Sequence, residues 1–170
     1  MKITFLAAAL AAAALTVLPG ANATQSNVSA WDKQWLMTSI SGDRFEVAGG
    51  KLAQQKGQSQ SVKSLGQTLV TDHSKSLKES VALAKKLGIK VPNAATPSMQ
   101  WELKVVSSFS GNDFDTWYSS LEVMDHQQDI TEAQDEVKDG TNPEVRASAK
   151  KEIPTLQKHL KMAKQAQQAG

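Results

Sequence analysis

The sequence predicts an all-α fold, a four-helix bundle whose crossover connector carries a short extra helix. Apolar side chains recur at the three- and four-residue spacing of amphipathic helices in four long stretches between residues 30 and 167. Turn-forming residues interrupt this pattern at 57–59, 88–97 and 140–143, so two connections are short and one is long. No strand-like alternation and no internal repeat occurs. Since short connections join antiparallel neighbours, we expect two helix hairpins joined by the crossover.

The first 23 residues have the form of a cleaved export signal. Met1-Lys2 precedes an apolar run over 3–18, and Ala21-Asn22-Ala23 has the small-x-small form that signal peptidase cuts. We expect a signal peptide over 1–23, a polar, disordered stretch over 24–29 and a single helical domain over 30–168. No cysteine follows the run, which excludes a lipid-modified N-terminus. The pattern predicts a soluble protein of a bacterial periplasm, with secretion as the alternative.

Composition narrows the classes of function. Loss of Lys2 leaves 18 Lys and Arg against 17 Asp and Glu, a net charge of about +1 that favours neither nucleic acid nor anionic lipid as a partner. No segment of the mature chain has the ~18 consecutive apolar residues of a membrane span. The absence of cysteine excludes disulfides, thiolate catalysis and cysteine-rich metal sites. Phosphate loops, nucleophile elbows and zincin motifs are missing too. A protein partner or a homo-oligomer stays open.

The first two long helices form one predicted hairpin, over 30 to about 55 and over 60 to about 87. The first helix has an apolar stripe of Leu36, Ile40 and Val47. A second stripe consists mostly of small residues, with Glu46 in its middle: Trp31, Trp35, Thr38, Gly42, Glu46, Gly49 and Ala53. Small residues let a neighbouring backbone come close, which predicts tight packing on this face.

The other boundaries follow from turn and cap signals. The connector over 89–97 holds two prolines, and Ser98 is the predicted cap of the short helix over 99–108. Asp113 is the predicted cap of a third long helix over 114–137. Asn142 and Pro143, a cap followed by a first-position proline, start a fourth long helix that ends near residue 167. Pro154 lies inside this helix and is expected to kink it.

Three histidines lie near the waist of the predicted bundle, the middle of its length. His73 follows Leu69 on the apolar face of the second helix, His126 lies in an inward sector of the third, and His159 belongs to the fourth. Counted from the turn near residue 58, Glu46 and His73 differ in height by three residues, or ~4.5 Å. Counted from the turn near residue 140, His126 lies about 14 residues before it. Glu152 lies about 12 residues and His159 about 19 residues after it. We therefore expect these groups to cluster.

Imidazoles beside a carboxylate in a bundle core are typical of a divalent transition-metal site, because imidazole nitrogen suits Zn, Cu, Fe or Ni. The predicted ligands are His73, His126 and His159, with Glu46 or Glu152 as the oxygen ligand. The predicted outer partners, which would orient the imidazoles, are Asp72, Asp125 and Glu122. A dinuclear carboxylate centre is disfavoured, because neither His126 nor His159 has a Glu three residues before it.

A structural explanation of the same residues stays open. A single histidine on an apolar face is more often a satisfied core residue than a ligand. Histidines and carboxylates that pair across the core would form a polar layer that fixes the register of the helices. The sequence alone does not choose between this layer and one bound metal ion.

Several short motifs resemble a known family. They are Phe45-Glu46-Val47, Gly50-Lys51-Leu52-Ala53, Val62-Lys63, Asp72-His73-Ser74, Phe114-Asp115 with Tyr118, Asp125-His126, Ile153-Pro154 and His159-Leu160. Together they are similar to an exported bacterial domain of unknown function that is often labelled a predicted outer membrane protein. The resemblance covers about residues 30–165 and implies a ferritin-like helical bundle. It places family positions at Glu46, Asp72, His73, His126, Pro154 and His159, and it brings no established activity.

Three classes of function follow from these observations. The first is a non-catalytic periplasmic binding or stress-associated bundle, whose waist is structural or binds a metal. The second is a mononuclear metalloenzyme, which requires a water-accessible pocket that reaches His73. The third is an interaction module in which the small-residue stretch 42–53 packs against a partner or a second copy.

Overall fold

The computed structural model describes residues 27–169, and in this part of the chain it contains five helices and no strand. The helices are α1 (Ala30–Lys56), α2 (Gln60–Lys86), α3 (Pro97–Ser107), α4 (Gly111–Asp139) and α5 (Pro143–Ala169). The predicted all-α bundle with a short helix in its crossover is confirmed. The predicted signal peptide lies outside the described residues. Of the predicted disordered stretch 24–29, the structure describes 27–29, where Val28 packs against the core and Ser29 caps α1.

The four long helices form a closed, four-sided bundle. α1 packs mainly on α2 and α4 mainly on α5, while contacts between α2 and α5 and between α1 and α4 complete the ring. At one end the Asp115 carboxylate of α4 accepts hydrogen bonds from the main-chain N–H groups of Gln58 and Ser59. At the other end Asp32 of α1 accepts them from Thr141 and Asn142. The connector and α3 therefore run the length of the bundle, and α3 lies on α1 and α4.

The structure confirms the predicted cap of α5 and corrects the predicted caps of α3 and α4. The Asn142 side-chain oxygen accepts hydrogen bonds from the N–H groups of Glu144 and Val145 and caps α5, as the sequence predicts. α3 is capped by Thr96 and not by Ser98, because Pro97 occupies its first turn, where a missing N–H costs nothing. α4 begins at Gly111, so the predicted cap Asp113 lies instead inside its first turn, near the positive end of the helix dipole.

The core consists of two apolar clusters. One is built around Leu36, Ile40, Ala149 and Leu156, and the other around Leu65, Leu69, Phe114, Tyr118 and Ala163. The sequence numbers place the first toward the Asp32 end and the second toward the Asp115 end, so the waist lies between two aliphatic regions. Among residues 27–169 no helix has the length and apolarity needed to cross a membrane.

The small-residue stripe of α1 is used inside the bundle. A Cβ atom built on Gly50 would lie 2.6 Å from the main-chain oxygen of Gly66 in α2. One built on Gly49 would lie 3.3 Å from Leu103 of α3. Gly49, Gly50 and Ala53 are thus buried between the helices of the single chain.

Candidate metal centre

His73, His126 and His159 meet at the waist and form the three-histidine centre. The ring centroids lie 5.1 Å apart for His73 and His159, 5.3 Å for His126 and His159, and 5.8 Å for His73 and His126. All three residues are buried, His73 with 5% of its surface exposed and the other two with none. One nitrogen of each ring lies within 4.8 Å of the corresponding nitrogens of the others.

Each imidazole is oriented by a hydrogen bond at one of its two nitrogens. Asp43 Oδ1 lies 2.9 Å from His73 Nδ1, and Asp72 Oδ2 lies 2.9 Å from His159 Nε2. The main-chain oxygen of Glu122 lies 2.9 Å from His126 Nδ1 and accepts a hydrogen bond from its N–H group. Carboxylates and a carbonyl are the partners that orient metal-binding imidazoles and fix which nitrogen carries the proton.

The opposite nitrogen of each ring is the one without a partner, and these three atoms are called the convergent nitrogens below. His73 Nε2, His126 Nε2 and His159 Nδ1 are buried and have no hydrogen-bond partner. A buried polar atom without a partner is costly, so three of them in one place call for a ligand. Nitrogens bound to one transition-metal ion lie ~3.4 Å apart, given metal–nitrogen bonds of about 2.1 Å. A shift of the rings inward by about 1 Å would thus complete the site.

Burial keeps all three rings neutral, which is the form that binds metals. Burial lowers the pKa of His73 to about 4 and of His159 to about 4. Burial, with the repulsion of the other two rings, lowers the pKa of His126 to about 3. Near pH 7 the lone pairs are therefore available without loss of a proton from an imidazolium ion.

Glu46, Glu122 and Asp125 form a separate carboxylate cluster beside His126. Glu46 Oε1 lies 3.9 Å and Glu122 Oε2 lies 3.6 Å from His126 Nδ1, the nitrogen that is hydrogen-bonded to the Glu122 main-chain oxygen. Glu46, Asp125 and His126 place one ligand atom each within 4.8 Å of one another. The predicted oxygen ligand Glu46 and the predicted outer partner Asp125 therefore form, with His126, a second group of possible ligands that shares one residue with the three-histidine centre.

A polar pocket of about 150 Å³ connects the three-histidine centre with the surface. His73 and His159 form part of its wall, and acidic side chains outnumber the two lysines, Lys75 and Lys151. The acidic residues are Asp43, Asp72, Glu79, Asp129, Glu132 and Glu152.

Glu152, the other predicted oxygen ligand, belongs to the wall of this pocket. Its carboxylate accepts a long hydrogen bond of 3.4 Å from the Ser39 hydroxyl, and burial raises its pKa to about 8. In the described part of the chain, Glu152 does not belong to either group of residues whose possible ligand atoms lie within 4.8 Å of one another. Of the predicted ligands, the structure thus brings the three histidines together, places Glu46 with Asp125 beside His126, and leaves Glu152 in the pocket wall.

A family model described as "Domain of unknown function (DUF4142)" matches residues 17–166, most of the chain. The chain belongs to this family. The resemblance to a domain of unknown function is thereby confirmed, and the DUF4142 description assigns no activity to the waist.

The fold of this DUF4142 protein also occurs in a solved structure. A crystal structure of a DUF305 fragment from Deinococcus radiodurans is similar over 84% of this chain and 99% of that chain, with a TM-score of 0.70. The two sequences are 12% identical, so the likeness shows a shared fold and nothing about function. No curated protein matches this chain.

The sequence analysis missed Asp43, the partner of His73. The signal was present, because Leu36, Ile40, Asp43 and Val47 follow the four-three-four spacing of one helix face. An acid at a position where this stripe calls for an apolar residue is as unusual as a histidine there. Asp43 is buried, with 4% of its surface exposed, and directly contacts the imidazole.

Proposed function

We propose that this DUF4142 protein is an exported, non-catalytic bundle that binds one divalent transition-metal ion at the three-histidine centre. The ligands are His73 Nε2, His126 Nε2 and His159 Nδ1. The observation that carries the proposal is the convergence of three buried, unpartnered nitrogens whose opposite nitrogens are each hydrogen-bonded.

The donor set favours Zn²⁺ or Cu²⁺. Neutral imidazole is a borderline ligand that suits both ions, whereas Mg²⁺ and Ca²⁺ prefer oxygen. The pocket supports the choice of a cation, because hydrogen bonds outweigh burial and lower the pKa of Asp72, and the hydrogen bond from Lys151 lowers the pKa of Glu79. Both carboxylates therefore stay ionised at the pocket wall and attract positive charge.

The test is metal binding by the tag-free mature protein. The chain has three histidines and no cysteine, so a nitrogen-bound Cu²⁺ spectrum identifies this centre once a histidine tag is avoided. We expect one equivalent of Zn²⁺ or Cu²⁺ to bind with a Kd below roughly 1 μM in a competition titration. His126→Gln should abolish this binding, whereas Asp135→Asn, a change at the exposed surface of α4, should leave it intact.

Two results would reject the metal site and leave the structural polar layer as the explanation. One is the absence of binding tighter than roughly 1 μM in the wild type. The other is unchanged binding in a variant that carries both His73→Gln and His126→Gln, provided that circular dichroism shows a folded helical protein.

A mononuclear metalloenzyme is the second candidate, and the pocket favours it. Catalytic sites keep one coordination position open to water or substrate, and the pocket wall includes two of the three proposed ligands. Azide added to the Cu²⁺-loaded protein should then produce a charge-transfer band in the visible spectrum. A spectrum that azide leaves unchanged would reject the enzyme and retain the binding protein.

Export is part of the proposal and rests on the N-terminal sequence alone. The small-x-small motif that ends at Ala23 supports cleavage there. N-terminal sequencing of protein from the native host's periplasmic fraction should begin at Thr24. Recovery of the uncleaved chain from the cytoplasm would reject export without affecting the metal site.

A further inference from the structure

The carboxylate cluster of Glu46, Glu122 and Asp125 lies apart from both the convergent nitrogens and the polar pocket. Glu46 comes from α1, whereas Glu122 and Asp125 lie one turn apart on α4. Glu46 and Glu122 are completely buried. None of the three residues lines the pocket. The cluster thus needs an explanation of its own.

The cluster lacks the groups that normally compensate buried carboxylates. Both oxygens of Glu46, both oxygens of Glu122 and Oδ2 of Asp125 are buried, and the groups close enough to interact with Glu46 are the other two acids themselves. The buried Tyr118 hydroxyl interacts with Glu122 and carries no positive charge. Within residues 27–169 no lysine or arginine forms an ion pair with any of the three acids. Three acids enclosed without a counter-charge are rare unless a metal ion or shared protons neutralise them.

We propose that the carboxylate cluster binds a second divalent cation, one that prefers oxygen ligands, through Glu46, Glu122 and Asp125. The geometry favours this ligand set because Glu46 and Asp125 each place an oxygen within 4.8 Å of the other and of His126. Glu122 Oε2 and Glu46 Oε1 lie 3.6 Å and 3.9 Å from the same atom, His126 Nδ1. Oxygens bound to one ion at about 2.2 Å lie roughly 3 to 4.4 Å apart, so small side-chain rotations suffice.

The chemistry separates this ion from the one at the three-histidine centre. Carboxylates suit Mn²⁺, Ca²⁺ and Mg²⁺ better than they suit Cu²⁺. His126 Nδ1 carries a proton and donates it in a hydrogen bond to the Glu122 main-chain oxygen, so this nitrogen does not ligate the second ion. Burial raises the pKa values of Glu46 and Glu122, the latter to about 8, which agrees with a cluster that lacks a positive charge in the metal-free protein.

The two cation sites share one turn of α4. The main-chain oxygen of Glu122 orients His126, while the side chain of the same residue belongs to the carboxylate cluster. An ion at the cluster would hold this turn in place and so help to position His126. The inference does not depend on the proposed function, because none of the three convergent nitrogens is a ligand of the second ion.

The experiment adds Mn²⁺ to tag-free protein already loaded with one equivalent of Zn²⁺. Free Mn²⁺ gives a six-line electron paramagnetic resonance signal that weakens when the ion binds. We expect the wild type to bind one equivalent of Mn²⁺ and to retain its Zn²⁺. A variant with Glu46→Gln and Glu122→Gln should bind Mn²⁺ at least tenfold more weakly while still holding Zn²⁺. Glu152→Gln, the same change in the pocket wall, is the matched control and should leave Mn²⁺ binding unchanged.

A second variant separates this inference from the proposed function. His73→Gln with His159→Gln should lose Zn²⁺ and keep the Mn²⁺ equivalent, since neither residue belongs to the cluster.

The inference is overturned if the wild type leaves Mn²⁺ free, or if Mn²⁺ binding survives the double glutamine change at Glu46 and Glu122. It is also overturned if that change removes Zn²⁺ from a folded protein, because the two groups would then form one site. A wild type that binds Mn²⁺ but no Zn²⁺ would reject the proposed function alone.

Discussion

At the scale of the residue, the hydrogen bonds behind the imidazoles matter as much as the imidazoles. Asp43 and Asp72 each hold one ring by the nitrogen that faces away from the centre. Asp72 also accepts a hydrogen bond from Lys158 at the surface, whereas Asp43 is buried. Of the two carboxylates, Asp43 is therefore the more rigid support for a ligand.

Replacement of Asp43 by Ala should weaken metal binding at the three-histidine centre by about 10- to 100-fold. Without its acceptor, His73 loses the preference for the tautomer and rotamer that present Nε2 to the metal. The Kd for Zn²⁺ from a competition titration checks this. Asp43→Asn retains an oxygen acceptor and should stay within a few-fold of the wild type. Equal losses in both variants would show that the charge of Asp43, and not its hydrogen bond, is what matters.

The sequence predicted that the three histidines meet, but not which edge of an imidazole each glutamate approaches. Counting residues from a turn gives the height of a side chain along its helix, and Glu46 is at the height of His126. It does not say which nitrogen of an imidazole faces which neighbour. In the structure Glu46 lies near the Nδ1 edge of His126, the nitrogen that also bonds to the Glu122 main-chain oxygen.

At the scale of the element, the contact between α1 and α2 depends on two facing glycines. A Cβ atom on Gly50 would lie 2.6 Å from the Gly66 main-chain oxygen and 2.9 Å from the Val70 side chain. The reverse substitution, a Cβ on Gly66, would meet the Gly50 oxygen at 2.6 Å. This close approach brings Asp43 of α1 against His73 of α2, so helix packing and site geometry are linked.

Gly50→Ala should destabilise the protein by about 1–3 kcal/mol, because the helices must move apart to admit the methyl group. Gly42→Ala in the same helix is the matched control. Its Cβ would meet nothing within 4 Å, so it should instead stabilise by about 0.5–1 kcal/mol through helix propensity. Urea unfolding of both metal-free variants measures the two free energies. A stable Gly50→Ala protein would show that the glycine contact is not required.

The helices themselves were predictable because their signals are local. Amphipathic spacing and the Asn142-Pro143 cap gave the starts of α2 and α5 correctly, and most other ends fell within about two residues. The start of α4 was misplaced by three residues, since Gly111 begins the helix with a φ of 60°, which a sequence pattern does not reveal. The expected kink at Pro154 stays a prediction.

At the scale of the whole molecule, a site assembled from three helices joins metal binding to folding. His73, His126 and His159 come from α2, α4 and α5, and they are far apart in the unfolded chain. The ring order of the helices, which brings them together, rests on packing across the bundle. The lengths of the hairpins do not specify that order. The sequence therefore predicted the height of the site along the bundle but not which residues of other helices surround the histidines.

Zn²⁺ should therefore raise the melting temperature of the wild-type protein. At a free concentration of 100 times the Kd, an ion that binds only the folded state adds about 2.7 kcal/mol, or roughly 5–12 °C for a domain of this size. Thermal unfolding followed by circular dichroism, with and without Zn²⁺, measures the shift. His126→Gln should show none. A shift of equal size in this variant would place the stabilising ion elsewhere.

A pH effect on stability belongs to the far end of the bundle, away from the metal ligands. The Glu136 side chain is buried in the last turns of α4, close to Asp32. Burial and the neighbouring Asp32 carboxylate raise the pKa of Glu136 to about 7. Burial alone would raise the pKa of Asp32 also, but hydrogen bonds from Ser29, Thr141 and Asn142 hold it well below its usual range. Asp32 thus stays ionised, and Glu136 takes up the proton.

The sign of the effect follows from the proton count. Between the ordinary pKa of 4.5 and the raised value near 7, the folded state binds a proton that the unfolded chain has released. The contribution of Glu136 to stability is therefore fully present below pH 4.5, falls as the pH rises and is constant above about 7.

Glu136→Gln mimics the protonated acid at every pH. The wild type should match this variant near pH 4.5 and become the less stable of the two by pH 7.5, as measured by urea unfolding with a chelator present. Glu102→Gln on the exposed side of α3 should follow the wild type. A difference between wild type and Glu136→Gln that does not change with pH would show that Glu136 is not protonated in the folded protein.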